Sequence, residues 1–314
     1  MSNSHTLANG IRGPARRSQN VGLVFLDLDD TIVQAGIHVT SRVRAALAAV
    51  HETGVKLAVA SGRPAHMLQA DVTSLGCMDY YLCSNGAVLY DAAFQPIERH
   101  QMDADDVRGA MDALAHLGCA YNCFIGGAAY MEAKNVTYMA GSPKRVAAAL
   151  GGSLRSKLGQ LKREVYRELT ASSLRYAVRS VRPYVDHTRY VEKLGCSFPS
   201  KDAADQGLAI LSELGIFEVA RIWEREFEVT AKGVTKGVGA RRLLDLAGVD
   251  ACDAMAFGDS ANDLPIREAV GRFVAVENAS DEVLAVADET CPSVWDDGVA
   301  IWLEERLLKG REIR

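Results

Sequence analysis

VFLDLDDTIV, residues 24–33, sets an apolar run against three carboxylates, Asp27, Asp29 and Asp30, with Thr31 following at once. A short, continuously apolar run reads as a strand buried on both faces, as in a parallel sheet covered by helices. In an open α/β sheet, ligands gather beyond the carboxyl ends of the strands, and these acids stand at such an end. Asp27 and Asp29 are two positions apart, so they share one face while the backbone stays extended. Carboxylates that close repel each other and call for a cation or basic groups nearby. A divalent metal answers that demand.

The same texture continues outward. VGLVFL (21–26), TSRVRAALAAVHETG (40–54) and VKLAVA (55–60) form a strand–helix–strand unit, with Thr40 or Ser41 able to cap the helix and Gly54 to end it. RPAHMLQADVTSLG (63–76) predicts a second helix with Pro64 in its first turn, and YYLCSNG (80–86) a third strand. Near the C-terminus the pattern returns: helices at 235–248, 262–271 and 296–308, and strands at 253–258 and 272–276. The intervening stretch differs. It reads as a hairpin at 86–98, a strand pair within 121–133, helices at 103–117, 143–150, 186–194 and 202–214, and a closing antiparallel pair at 216–230. The expected architecture is α/β: a doubly wound, Rossmann-like, mostly parallel core of residues 21–86 and 230–314, split by an inserted α+β cap domain at 87–229. Residues 1–20 predict a disordered tail.

With 314 residues and 48% hydrophobic content the chain can bury a substantial core, and a net charge of −5 gives no general reason to expect nucleic acid or a membrane surface as partner. Seven cysteines without a CxxC pair suggest neither a disulfide framework nor a zinc site, which fits a reducing, cytoplasmic setting. No stretch approaches the roughly 18 apolar residues of a membrane span. The sequence leaves monomer and dimer equally open. Residues 155–182 carry eight basic residues against two acids. Such a run is more often a solvated surface than a polyanion site. His51, His66 and His116 fall in helical segments without ligand spacing, and Cys119 and Cys123 read as packing residues.

A second acidic cluster, FGDSANDLP (257–265), also leaves an apolar strand. If its strand neighbours the first, Asp27, Asp29, Asp259 and Asp263 face one small volume. Hard oxygen ligands in that number suit Mg²⁺, which keeps several waters and bridges to substrate phosphate. VASGRP (59–64) brings Ser61, Gly62 and Arg63 to a strand end before a helix, where hydroxyl and N–H groups can hold an anion. Lys236, in GVTKG (233–237), opens another helix and offers a compact positive charge for phosphate oxygens.

DLDDT, SGR, TKG and GDSAND resemble, in order, the four motifs of the haloacid-dehalogenase-like hydrolase superfamily. The insertion resembles the class IIB cap of its Cof-type phosphatases, to which SNGAVLYD (84–91) is also similar. The resemblance implies a Mg²⁺-dependent phosphatase for a small phosphorylated metabolite, sugar phosphates foremost. It implies Asp27 as the nucleophile that forms an aspartyl-phosphate and Asp29 as general acid and then base. Lys236 and Ser61 would hold the phosphoryl oxygens. Mg²⁺ would lie on Asp27, the Asp29 carbonyl and Asp259, with Asp263 as ligand or supporting partner. Thr31 would support the first loop, Gly62 and Asn262 would serve the phosphate, and Arg63 would touch substrate near the cap. Asp30 stands where the family most often has Gly, which implies a variant of the loop, since Asp tolerates unusual backbone conformations. A phosphomutase on the same scaffold, a phospho-ligand regulatory protein and a nucleic-acid binder using the basic stretch are the rival readings.

Overall fold

The computed structural model describes residues 21–34, 38–68, 70–135 and 177–309. The first strands in chain order are β1 (Leu23–Leu26), β2 (Lys56–Ala60), β3 (Tyr80–Cys83), β4 (Val88–Asp91) and β5 (Pro96–Arg99). A second group comprises β6 (Met102–Asp103), β7 (Ala120–Ile125), β8 (Ala128–Glu132), β9 (Ala177–Val178), β10 (Tyr190–Val191), β11 (Lys193–Ser197), β12 (Phe217–Trp223) and β13 (Glu226–Ala231). The chain then forms β14 (Ala254–Gly258), β15 (Arg272–Val276) and β16 (Glu289–Cys291).

Eight of these form one sheet in the order β16-β15-β14-β1-β2-β3-β4-β5. It is parallel from β16 to β3, and β4 and β5 add antiparallel to its edge. The four residues of β1 are fully buried, as a strand covered on both faces must be. β1 lies between β14 and β2, with Leu26 level with both Phe257 and Val59. The carboxyl ends of these three strands therefore open onto one edge of the sheet, at the point where the strand order reverses. A second, six-stranded sheet runs β12-β13-β11-β7-β8-β9, and its apolar cluster includes Phe198, Phe227, Leu194 and Val229.

Local chemistry explains the helices that position the site. Helix α1 (Ser41–Glu52) is capped by Thr40, whose Oγ1 accepts from the Val43 N–H at 3.2 Å. The predicted helix at 63–76 is broken. Pro64 is extended, residues 65–67 make one 3₁₀ turn, Leu68 is again extended, and only α2 (Ala70–Thr73) is helical. The residue before a proline avoids the helical region, and the His66 N–H is drawn to the Gly127 carbonyl at 2.9 Å.

Other expectations need correction. The hairpin of β4 and β5 extends the large sheet and not the second one, so the chain leaves that sheet after Arg99, not at residue 86. Pro96, with no N–H to give, is tolerated because β5 is an edge strand. The predicted helix at 186–194 is instead the end of a short helix, Arg182–Asp186, followed by strands β10 and β11. The reading failed because Glu192 and Lys193 are buried, and charged residues at buried positions erase the apolar alternation that marks a strand. Helix 143–150, the tail 1–20 and most of the basic stretch 155–182 lie outside the described residues. Among the described residues no helix is long and apolar enough to cross a membrane.

Candidate active site

Asp27 is the first residue after β1, and its N–H continues the ladder by donating to the Phe257 carbonyl at 3.1 Å. Its side chain is buried and meets Lys236, whose Nζ lies 2.6 Å from Asp27 Oδ1 and 2.7 Å from Asp263 Oδ1. Lys236 is the first residue of the helix Lys236–Ala247, capped by Thr235, whose Oγ1 accepts from the Val238 N–H at 3.2 Å. A lysine there faces the positive end of the helix macrodipole, so its two carboxylate partners hold it in place. Burial alone would depress its pKa, but Asp263 and Asp27 hold it above the usual lysine range.

The start of that helix depends on Gly237. A Cβ at this position would stand 2.0 Å from the Pro265 carbonyl oxygen, backbone against backbone. Gly237→Ala is therefore expected to lower stability by roughly 2–3 kcal/mol and to displace Lys236. A lowered urea midpoint together with lost turnover is the expected result.

Asp263 is engaged on both oxygens. Oδ2 accepts from the N–H groups of Asp259 and Ser260, each at 3.1 Å, which closes a capping box with Ser260. Asp263 thus ties the loop after β14 to Lys236. Thr31 Oγ1 donates to Asp259 Oδ1 at 3.2 Å and so links the loop after β1 to the same acid. The carboxylates of Asp27, Asp259 and Asp263 lie within 4.8 Å of one another. Burial, then Asp263, pushes Asp27 up to about 7, with Lys236 opposing. Burial, then Asp27 and Asp263, pushes Asp259 up to about 9. Three crowded carboxylates with one cation among them fit a hard divalent cation such as Mg²⁺, and the all-oxygen donor set argues against zinc.

The Asp29 carboxylate does not join this cluster. Arg63 grips it with a two-pronged fork, Nε to Oδ2 at 2.7 Å and Nη2 to Oδ1 at 2.5 Å. The next residue, Asp30, adopts φ 59°, in the left-handed region, and its carbonyl accepts from Asn278 Nδ2 at 2.7 Å. Asp at a glycine-favouring position is accommodated by a side chain elsewhere in the fold. Ser61 is buried, its N–H on the Leu82 carbonyl at 2.8 Å and its Oγ accepting from the Arg63 N–H at 3.1 Å. Asn262 accepts from Ser260 Oγ at 2.9 Å.

These residues open onto a cavity of about 450 Å³ that Phe124, Lys193, Ile222, Trp223 and Glu228 of the second sheet also line. Lys193 reaches across to the large-sheet side, donating to the Gly62 carbonyl at 2.6 Å, and pairs with Glu228. Gly62 permits that approach: a Cβ there would stand 3.0 Å from Asn85 Oδ1 and 3.3 Å from Lys193 Nζ. Lys193, Glu228, Asn85 and Asn278 were absent from the sequence-derived site. For Asn85 a signal existed in the SNG turn, and for Lys193 the only one was a charge inside a strand-length run.

A family model for haloacid dehalogenase-like hydrolases matches residues 24–303. Phosphatase YwpJ of Bacillus subtilis (strain 168) is 23% identical over 288 residues, 91% of this chain and 99% of its own length. The 5-amino-6-(5-phospho-D-ribitylamino)uracil phosphatase YwtE of the same organism is 22% identical over 301 residues, 92% and 98% of the two lengths. Among solved structures, the HAD subclass IIB sugar phosphatase BT4131 is similar with a TM-score of 0.69 at 20% identity, over 91% of this chain and 98% of that one. The chain belongs to the haloacid dehalogenase-like hydrolase family, and it is a phosphatase with the core-and-cap fold of the Cof-type enzymes.

Proposed function

We propose that this phosphatase hydrolyses a small phosphorylated metabolite, a sugar phosphate foremost, in a Mg²⁺-dependent reaction through an aspartyl-phosphate on Asp27. The observation that carries this reading is the buried Lys236, held between Asp27 and Asp263 beside a third converging carboxylate, Asp259, at a cavity sized for a small molecule. In this reading the second sheet belongs to a cap inserted between residue 100 and residue 231, and the reducing setting suggested by the free cysteines is cytoplasmic.

An Asp27 oxygen attacks phosphorus in line, the bond to the leaving oxygen breaks, and Asp29 delivers a proton to that oxygen. Water then attacks the aspartyl-phosphate, Asp29 takes its proton, and the bond between phosphorus and the Asp27 oxygen breaks to release phosphate. For Asp29 to exchange protons its Arg63 fork must open, which makes Arg63 a residue that moves between Asp29 and the substrate. Lys236 and the Ser61 hydroxyl hold phosphoryl oxygens as charge shifts. Mg²⁺, carried by Asp27, Asp259 and the Asp29 carbonyl, would supply further positive charge for those oxygens. Thr31 and Asp263 keep Asp259 and Lys236 in position.

The test is phosphate release from a panel of sugar phosphates, nucleotides, pyridoxal phosphate and flavin mononucleotide. With Mg²⁺ present, release from at least one member is expected, falling roughly 10²-fold or more in EDTA and returning when Mg²⁺ is restored. Undiminished release in EDTA would remove the metal from the account.

A further inference from the structure

A second cavity, also of about 450 Å³, shares no lining residue with the first. The β4–β5 hairpin gives it Tyr90, Phe94, Pro96 and Arg99, and the second sheet's side gives it Gly126, between β7 and β8, and Glu192, just before β11.

Glu192 is 1% exposed, and no cation pairs with it among the described residues. Its Oε2 accepts from Ser84 Oγ at 2.8 Å and its Oε1 from the Gly127 N–H at 2.6 Å. A carboxylate has about four lone-pair sites, so both oxygens can accept again. Buried charges are ordinarily paired or bound to a metal. Glu192 is the one carboxylate among the described lining residues, too few for a hard divalent cation.

The neighbouring groups favour an organic cation. Tyr90 is 9% exposed, and its hydroxyl has no hydrogen-bond partner among the described residues. Burial, then Glu192, holds its phenol above the usual tyrosine range, so the hydroxyl stays neutral with lone pairs to offer. Phe94, at φ 56°, brings its ring to 6.3 Å from that of Tyr90. The faces of such rings attract an ammonium. Arg99 also lines the cavity but is exposed, and water screens its charge more than that of a buried carboxylate.

We propose that this cavity is a second binding site, for a small molecule with a primary ammonium that donates to Glu192 and the Tyr90 hydroxyl while its apolar body lies on Phe94 and Pro96. Three N–H donors match the open lone pairs of Glu192 and Tyr90, which a neutral ligand of the same shape meets without the charge.

The experiment titrates the full chain with 2-phenylethylamine and with 2-phenylethanol, its neutral counterpart of similar size, and reads binding by ligand-observed NMR. The amine is expected to bind with a Kd on the order of 1 mM or tighter, and the alcohol at least about 10-fold more weakly. Glu192→Gln removes the charge and keeps an acceptor for Ser84, and should bring the amine down to the level of the alcohol. Tyr90→Phe removes a hydroxyl that has no partner, so the fold is spared, and should weaken the amine by about 3–5-fold.

Equal binding of amine and alcohol, or no binding of the amine at millimolar concentration, would overturn the proposal. Amine binding undiminished in both variants would place the ligand elsewhere, the Asp27 cluster included, and would overturn it too. The wild-type comparison and Tyr90→Phe decide if the Glu192 variant fails to fold. None of these readouts uses turnover, so they stand apart from the phosphatase reading.

Discussion

Asp27→Asn is expected to lose turnover by on the order of 10⁴-fold or more, as expected when a nucleophile is removed, while the fold is retained. The asparagine keeps the shape of the aspartate and an oxygen for the Lys236 ammonium, which also holds Asp263 at 2.7 Å. It removes one of three converging negative charges, and burial and Asp263 already disfavour the charged form of Asp27. In EDTA the urea midpoint of the variant should therefore equal or exceed that of the wild type. Turnover falls while the midpoint does not, which separates a lost nucleophile from a lost fold. Turnover close to the wild-type rate would remove Asp27 from the nucleophile's role.

Lys236→Met is expected to fail in the other way, losing stability as well as activity. Its ammonium is 1% exposed and bridges two carboxylates that are themselves buried. Without it, Asp27 and Asp263 face each other with no shared cation, and breaking a buried pair in this manner costs about 3–5 kcal/mol. The partner change Asp263→Asn should return part of that loss, since an amide can still accept from the Asp259 and Ser260 N–H groups while removing a charge. A double-mutant cycle on urea midpoints measures the coupling. Additive losses would show that Lys236 is not stabilised by Asp263 as the 2.7 Å contact implies.

How far the sequence could be read follows from where each residue's partners lie. Asp27, Ser61, Lys236 and Asp259 each occupy the end of a strand or the start of a helix within a short stretch whose chemistry is local. The parallel order of β1, β2 and β14 then brings those ends together. Lys193, Glu228 and Asn85 have no such local mark. They come from the paired strands β11 and β13 and from the turn after β3, and only long-range strand pairing and the meeting of the two sheets make them neighbours. Glu192 and Lys193 misled the helix reading for the same reason: a charge buried by distant partners looks, in sequence, like a charge in water. The β4–β5 hairpin was recognisable as a hairpin, but its pattern does not say which sheet it will join. The Asp29–Arg63 fork was hidden too, because both residues had plausible roles toward substrate and neither hinted at the other.

The most direct measurement is chemical trapping of the covalent enzyme. The Asp29→Asn protein, which lacks the base for hydrolysing an acyl phosphate, is mixed with Mg²⁺ and p-nitrophenyl phosphate, whose leaving group needs no proton. The mixture is quenched in acid and treated with borohydride, which reduces an aspartyl-phosphate to homoserine, and the peptide containing residues 24–33 is analysed by mass spectrometry. The account predicts a burst of one nitrophenolate per active site and homoserine at position 27. A nitrophenolate burst with residue 27 still aspartate, or with homoserine at another position, would contradict it.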